Sequence, residues 1–247
     1  MTIGIYGLGR FGAFWASELS GSFTVRAFSR RTRVFPPGVQ IVSENEVLEC
    51  DVVILCVAIS AMEEVLILIS PNIMPGTLVM DTCSIKENPV AVMKKYLPAS
   101  VNILATHPMF GPDSAQDGIE GKPLILCPIR LEKCQVNFWE NRFYKMGLRV
   151  IKMTPKEHDH EAAFTQGIVH YLGRVLAEMG LRESLISTVG YLRLQELVEQ
   201  TCNDSHQLFL DLQRFNPFTK QMRNQLEKAL KTVKKSLDSE DERNGTL

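Results

Sequence analysis

Near the N-terminus stands Ile3-Gly4-Ile5-Tyr6-Gly7-Leu8-Gly9-Arg10-Phe11-Gly12. A short apolar run with β-branched residues enters a turn whose glycines stand at the G-x-G-x-x-G spacing, and an amphipathic stretch leads on to a second such run, Thr24-Val25-Arg26-Ala27-Phe28. Each glycine has its own task in that setting. The first closes a tight turn, the second lets backbone approach a pyrophosphate, and the third lets the helix pack close to the strand. The N-terminus of the following helix offers unpaired N–H groups and a positive dipole end to an anion. A purely structural glycine turn is the plainer alternative. The strand-turn-helix context points instead to a dinucleotide site built from Gly7, Leu8, Gly9, Arg10, Phe11 and Gly12.

Further runs of the same kind occur at 51–57, 78–81, 101–105 and 124–126. Helix-length spacers separate them, as parallel βαβ units require, and several are apolar throughout, as strands covered on both faces are. The expectation is an α/β protein with a doubly wound Rossmann-type parallel sheet over residues 1–152. From residue 153 the β-branched runs stop. Thr154-Pro155-Lys156-Glu157 combines an N-cap, a proline at the first helical position and a capping-box glutamate. It predicts a helix reaching toward Gly180, followed by others over 184–201, 205–215 and from 217 to about 237. Helices alone make a thin core, so residues 153–247 are expected to form an all-helical dimerisation domain completed by a second copy, giving a homodimer. The polar end, 238–247, is expected to fray.

The 247 residues are 45% hydrophobic and 22% charged, which excludes a disordered or fibrous chain. Lys and Arg number 27 against 28 Asp and Glu, a net charge of −1, so no cationic surplus points to nucleic acid or an anionic membrane. The expected partner is a small molecule. The apolar stretch from Val52 to Ile59 is too short to cross a bilayer. None of the six cysteines forms a C-x-x-C pair, and several lie in apolar runs where the thiol packs as a small hydrophobe. With no secretory leader readable at the start, the expectation is a cytoplasmic protein with free thiols and no metal.

The end of the second strand selects the dinucleotide. An NAD site places an acidic residue there for the ribose 2′-hydroxyl, whereas this chain has Ser29-Arg30-Arg31-Thr32-Arg33. A hydroxyl and planar guanidinium groups suit a 2′-phosphate. That favours NADP, held by Ser29, Arg30 and Arg31, although a solvated basic turn would have the same composition. Cys56 and Val57, at the end of the third run, would line the cofactor with their backbone.

Ligands of open α/β sheets bind outside the carboxyl ends of the strands, where Asp81-Thr82-Cys83-Ser84-Ile85-Lys86 and Thr106-His107-Pro108-Met109-Phe110-Gly111-Pro112-Asp113-Ser114 also fall. His107 is either a satisfied structural imidazole or a base that takes a proton from a substrate hydroxyl while hydride leaves the same carbon. Ser84 would orient it. On the helix opened by Pro155, His158, Ala162, Gln166, His170 and Arg174 recur at every fourth position. The turn from His158 to Glu161 reads as a solvated face, whereas Gln166 and His170 are better candidates for lining a cleft.

Together these segments resemble the prephenate and arogenate dehydrogenases of tyrosine biosynthesis, most closely the compact plant-type arogenate dehydrogenases. The resemblance rests on Gly7 to Gly12, Asp81 to Lys86, Thr106 to Ser114, Glu157-His158-Asp159, Gln166 to His170 with Gly173-Arg174-Val175-Leu176, Leu197 to Thr201 with Asp204-Ser205, and Lys234 to Leu237. It implies an NADP-dependent oxidative decarboxylation of arogenate to tyrosine, or of prephenate to 4-hydroxyphenylpyruvate, with no metal and no covalent nucleophile. His107 would be the base and Ser84 its orienter beside the nicotinamide. Gly111, Ser114, Gln166 and His170 would line the substrate.

The two substrates differ in one side chain, an amino acid or a keto acid, and an ammonium calls for a carboxylate. Asp204 matches an acidic position of the arogenate-type members, and as a residue before a helix it would equally serve as an N-cap. Arg174, Arg193 and Arg214 all remain open as partners of the ring carboxylate. A β-hydroxyacid or imine-type oxidoreductase would carry a lysine or aspartate on the helix that here holds Gln166 and His170. A non-catalytic NADP sensor would have lost the base, and His107 is present.

Overall fold

Every apolar run singled out in the sequence becomes a strand, and two more strands join them at the edges. The structure, a computed structural model, describes residues 1–30 and 36–244, with side chains through 238. In chain order the first part contains β1 (Thr2–Tyr6), α1 (Arg10–Ser20), β2 (Thr24–Phe28), β3 (Val39–Ile41), α2 (Glu44–Leu48), β4 (Val52–Leu55) and α3 (Met62–Ile69). It continues through β5 (Leu78–Asp81), α4 (Glu87–Tyr96), β6 (Asn102–Pro108), β7 (Pro123–Arg130), α5 (Lys133–Lys145) and β8 (Arg149–Lys152). The strands form one sheet in the order β3-β2-β1-β4-β5-β6-β7-β8. The chain leaves β1 toward β2 and later returns to the other side of β1 with β4. This reversal opens the crevice in which Rossmann-type sheets bind dinucleotides.

All neighbours pair parallel except β6 and β7. The sheet is therefore mixed rather than wholly parallel. No helix lies between β6 and β7, and without a crossover the chain can only return antiparallel. The edge strands β3 and β8 are short, and neither is buried as the inner strands are. That is how native edges are kept from pairing further, and it leaves little apolar signal to read.

The inner strands are apolar on both faces because each face carries a core. Val53 and Leu55 of β4 join α2, α3 and α4 through Val47, Leu66 and Met93. Val52 and Ile54 join α1 and α5 through Trp15, Leu19, Trp139 and Phe143. Each fully buried side chain of this kind contributes about 1.5–3 kcal/mol.

The chain divides into two compact units, Met1–Asp159 and His160–Leu247. The division falls inside the helix opened by Pro155, α6 (Pro155–Ala162), rather than before it at 152. A π-helical turn (Ala163–Gly167) leads into α7 (Ile168–Glu178), followed by α8 (Val189–Asn203), α9 (His206–Phe215) and α10 (Thr219–Asn244). Gly180, with φ +68°, stands just past the end of α7, where a left-handed residue stops a helix. The start expected at 184 moves to Thr188, whose hydroxyl accepts from Tyr191 N at 3.2 Å. The tail expected to fray stays helical to Asn244, since no Gly or Pro interrupts it before Gly245.

Within the second unit, α7 and α8 approach so closely that a Cβ on Gly173 would stand 2.0 Å from Thr201 Oγ1. The Gln213 amide donates to Gly167 O at 2.8 Å, satisfying a carbonyl of the π-helical turn, where the regular helical ladder is interrupted. No helix among the described residues is long and apolar enough to cross a membrane.

Candidate active site

The glycine turn has the geometry its sequence announces. Gly7 has φ +108°, and a Cβ there would meet Cys56 O at 2.5 Å. One on Gly12 would meet Gly7 O at 2.0 Å. Both glycines are thus required by close packing. Gly9 differs: a Cβ would meet nothing within 4 Å, and as N-cap of α1 it supplies no side-chain cap. Open space at an uncapped, positive helix end fits a pyrophosphate. Leu8 is buried and Phe11 stacks on Trp15 at 6.3 Å, so these two serve the turn through their backbone.

Gly7 N donates to Phe28 O at 2.9 Å, which brings the end of β2 beside the turn. Ser29 there is half-buried and Arg30 exposed; Arg31 lies outside the described residues. On the other side, Cys56 N donates to Tyr6 O at 2.9 Å, and Val57 packs partly into the core. Burial pushes the Cys56 thiol up to about 12, so it is a packing group rather than a nucleophile.

His107 lies in β6 and is 2% exposed. It is neither solvated nor a lone core imidazole. Its Nδ1 stands 2.8 Å from Nε2 of His158, whose Nδ1 stands 2.8 Å from Oδ1 of Asp159. Both Asp159 oxygens also accept backbone amides, Lys86 N at 2.6 Å and Glu87 N at 2.9 Å. These contacts fix the direction of the chain of bonds. A carboxylate accepting on both oxygens makes His158 Nδ1 the donor. Burial holds His158 below the usual imidazole range despite Asp159, so it stays neutral and its Nε2 accepts from His107 Nδ1–H. The acceptor atom of His107 is therefore Nε2, which is what a general base requires.

His158 thus orients His107 through Nδ1, and it is buried at 2% exposure rather than part of a solvated face. The repeat at every fourth residue placed it on a polar helix stripe. What that repeat could not register is that the first turn of α6 packs against the sheet. A legible signal did exist in the pair His158-Asp159 directly after a capping box, since Thr154 and Glu157 close that box. Ser84 itself is half-buried in the segment after β5.

A buried ion pair frames the relay. Lys86 Nζ pairs with Asp81 Oδ2, both side chains at 0% exposure, and it donates to Thr106 O at 2.6 Å. Asp81 Oδ1 accepts from Thr106 N at 3.2 Å. Lys86 therefore touches both ends of the relay, Asp159 through its amide and the residue before His107 through its ammonium. Breaking such a pair by removing one partner costs about 3–5 kcal/mol.

After β6, Phe110 anchors the chain in the aromatic cluster, 6.0 Å from Trp15. The following turn is closed by Gly111 N donating to Ser114 Oγ at 3.0 Å. Arg10 of the glycine turn ion-pairs with Asp113 in this loop.

The second unit carries the other candidates. Gln166 sits in the π-helical turn and His170 on α7. His170 is 6% exposed, lies 3.8 Å from Asp204 Oδ2 through Nε2, and is held below the usual imidazole range by burial. The N-cap position of α9 is held by Ser205, its hydroxyl accepting from Leu208 N at 3.1 Å. Of the three arginines left open, Arg174 directs Nη2 to the carbonyls of Thr201 and Asp204 at 3.3 and 2.9 Å.

A doubly wound sheet with a glycine turn at its switch point and a buried histidine relay on a neighbouring strand defines a nucleotide-binding dehydrogenase domain. Residues 38–152 match the family described as "Prephenate dehydrogenase, nucleotide-binding domain", and residues 175–246 the one described as "TYRAAT1-like, C-terminal domain". The chain is 33% identical over 258 residues to arogenate dehydrogenase 2, chloroplastic, of Arabidopsis thaliana, covering 96% of this chain and 70% of that protein. It is 33% identical to arogenate dehydrogenase 1, chloroplastic, of the same plant, covering 96% of this chain and 39% of that one. Among solved structures, prephenate dehydrogenase from A. aeolicus superposes with a TM-score of 0.76 at 18% identity, over 99% of this chain and 93% of the other. The chain belongs to the arogenate and prephenate dehydrogenase family.

Proposed function

We propose that the protein is an NADP-dependent arogenate dehydrogenase that oxidatively decarboxylates arogenate to tyrosine. The observation that carries this reading is the Asp159-His158-His107 relay, which makes Nε2 of His107 a proton acceptor in a nucleotide-binding sheet. When bound, the oxidised nicotinamide supplies a hydride acceptor, and Gly7, Gly9 and Gly12 with the first turn of α1 would hold its pyrophosphate. Nε2 of His107 takes the proton from the ring hydroxyl as hydride leaves the same carbon. The resulting imidazolium is stabilised through His158 by the Asp159 carboxylate. Electrons of the bond to the ring carboxylate enter the ring as carbon dioxide departs, and aromatisation drives the step. Gly111, Ser114, Gln166 and His170 are assigned to the substrate.

NADP is favoured over NAD because β2 ends in Ser29 and Arg30 where an NAD site would carry a carboxylate. Arogenate is favoured over prephenate because Asp204 places a carboxylate 3.8 Å from His170 Nε2 and the Arabidopsis relatives are arogenate dehydrogenases. The helical unit is read as the dimer interface, since Leu185, Ile186, Leu230, Val233 and Leu237 stay exposed on it.

Reduced-nicotinamide absorbance followed with both substrates and both cofactors tests reaction, substrate and coenzyme together. Turnover is expected with arogenate and NADP, Arg30→Ala raising KM for NADP far more than for NAD. His107→Asn is expected to keep cofactor binding and lose about two to four orders of magnitude in kcat. Near-normal turnover of that variant would remove the base from the mechanism.

A further inference from the structure

Arg174 stands beside the close approach of Gly173 to Thr201. Its guanidinium reaches from α7 to the end of α8, where Nη2 donates to Thr201 O at 3.3 Å and Asp204 O at 2.9 Å. It also lies 5.6 Å from the centroid of the Phe209 ring on α9. One planar cation thereby ties three helices to a single junction. The last carbonyls of a helix lack intrahelical partners and carry the negative dipole end, so a cation is favoured there, and a fork of N–H groups serves two acceptors as an ammonium does not.

The residue held at this junction is Asp204. Its backbone is extended, φ −70° and ψ 147°, between the end of α8 and the cap Ser205. Its carbonyl is fixed by Arg174, and its carboxylate lies 3.8 Å from His170 Nε2, one helical turn before Arg174 on α7. We infer that Arg174 is a positioning residue: by holding the Asp204 carbonyl it sets the carboxylate that selects an amino-bearing over a keto-bearing substrate side chain. The inference rests on the reading of Asp204 as that selector. It assigns Arg174 to the protein backbone and takes it out of the group of arginines that would meet the substrate's ring carboxylate.

The test compares kcat/KM for arogenate and prephenate in the full-length enzyme and in Asp204→Asn, Arg174→Lys and the double variant, with Arg174→Gln as a companion should the lysine variant unfold. Asp204→Asn should lower the arogenate-to-prephenate ratio roughly tenfold to a hundredfold, the worth of a hydrogen bond to a charged group. Arg174→Lys should lower the same ratio about three- to tenfold through KM for arogenate, leaving KM for prephenate and for NADP unchanged. In the double variant it should add nothing to Asp204→Asn, because the two act as a unit. Equal rises in KM for both substrates would make Arg174 a direct carboxylate ligand and overturn the inference, as would additive effects in the double variant. An unchanged ratio in Asp204→Asn would instead overturn the selector reading, and the inference with it.

Discussion

His158 shows how much the environment of one side chain decides. It bridges two acceptor-donor pairs only while neutral, and burial keeps it so by holding its pKa below the ordinary value of about 6.5. Between those two values the unfolded chain binds more protons than the folded one, so stability is full above about pH 6.5 and falls as the pH descends toward the folded value. His170, lowered for the same reason, acts in the same direction. Urea unfolding at pH 7.5 and 5.5 should show lower stability at the acid point, and His158→Gln should shrink the difference. The same variant should reduce kcat with little change in KM for NADP, since it unseats Nδ1 of His107 without touching the glycine turn. An unaltered kcat would mean that the imidazole of His107 holds its orientation unaided.

Secondary-structure elements divide by how much of their surface is covered. Strands β1, β4 and β5, enclosed by cores on both faces, are written in continuous apolar residues and are legible without coordinates. β3 and β8 are not, because an edge strand with charged ends such as Arg149 and Lys152 resembles a loop. The antiparallel return of β7 is equally silent, since direction is set by the absence of a helix rather than by the strand's own residues. In the site, the glycines could be read because each answers a local demand of the chain. The partnership of His107 with His158 could not, because it joins residues 51 positions apart. Helices α8 and α10 leave Val189, Leu192, Leu230, Val233 and Leu237 exposed, more apolar surface than a lone helical unit needs to show. Sedimentation equilibrium should give twice the mass of the 27.8 kDa chain, and Leu230→Glu with Val233→Glu should bring it down to one. A wild-type monomer at micromolar concentration would leave those side chains without a covering.

At the scale of the whole molecule, charge is distributed by depth. The pairs Lys95-Glu63, Lys152-Glu140 and Lys231-Glu227 lie at the surface, where such contacts are worth roughly 0–1 kcal/mol. Lys86 and Asp81 are sealed inside, with neither side chain reaching water. Dissolved ions screen attractions between solvated charges, almost completely beyond a Debye length of about 10 Å at 0.1 M, and they act far less on enclosed ones. An exposed Arg30 meeting a phosphate belongs to the first kind, and the scaffold around His107 to the second. Raising sodium chloride should therefore increase KM for NADP while kcat at saturating cofactor stays nearly constant, an electrolyte tolerance confined to the chemical step.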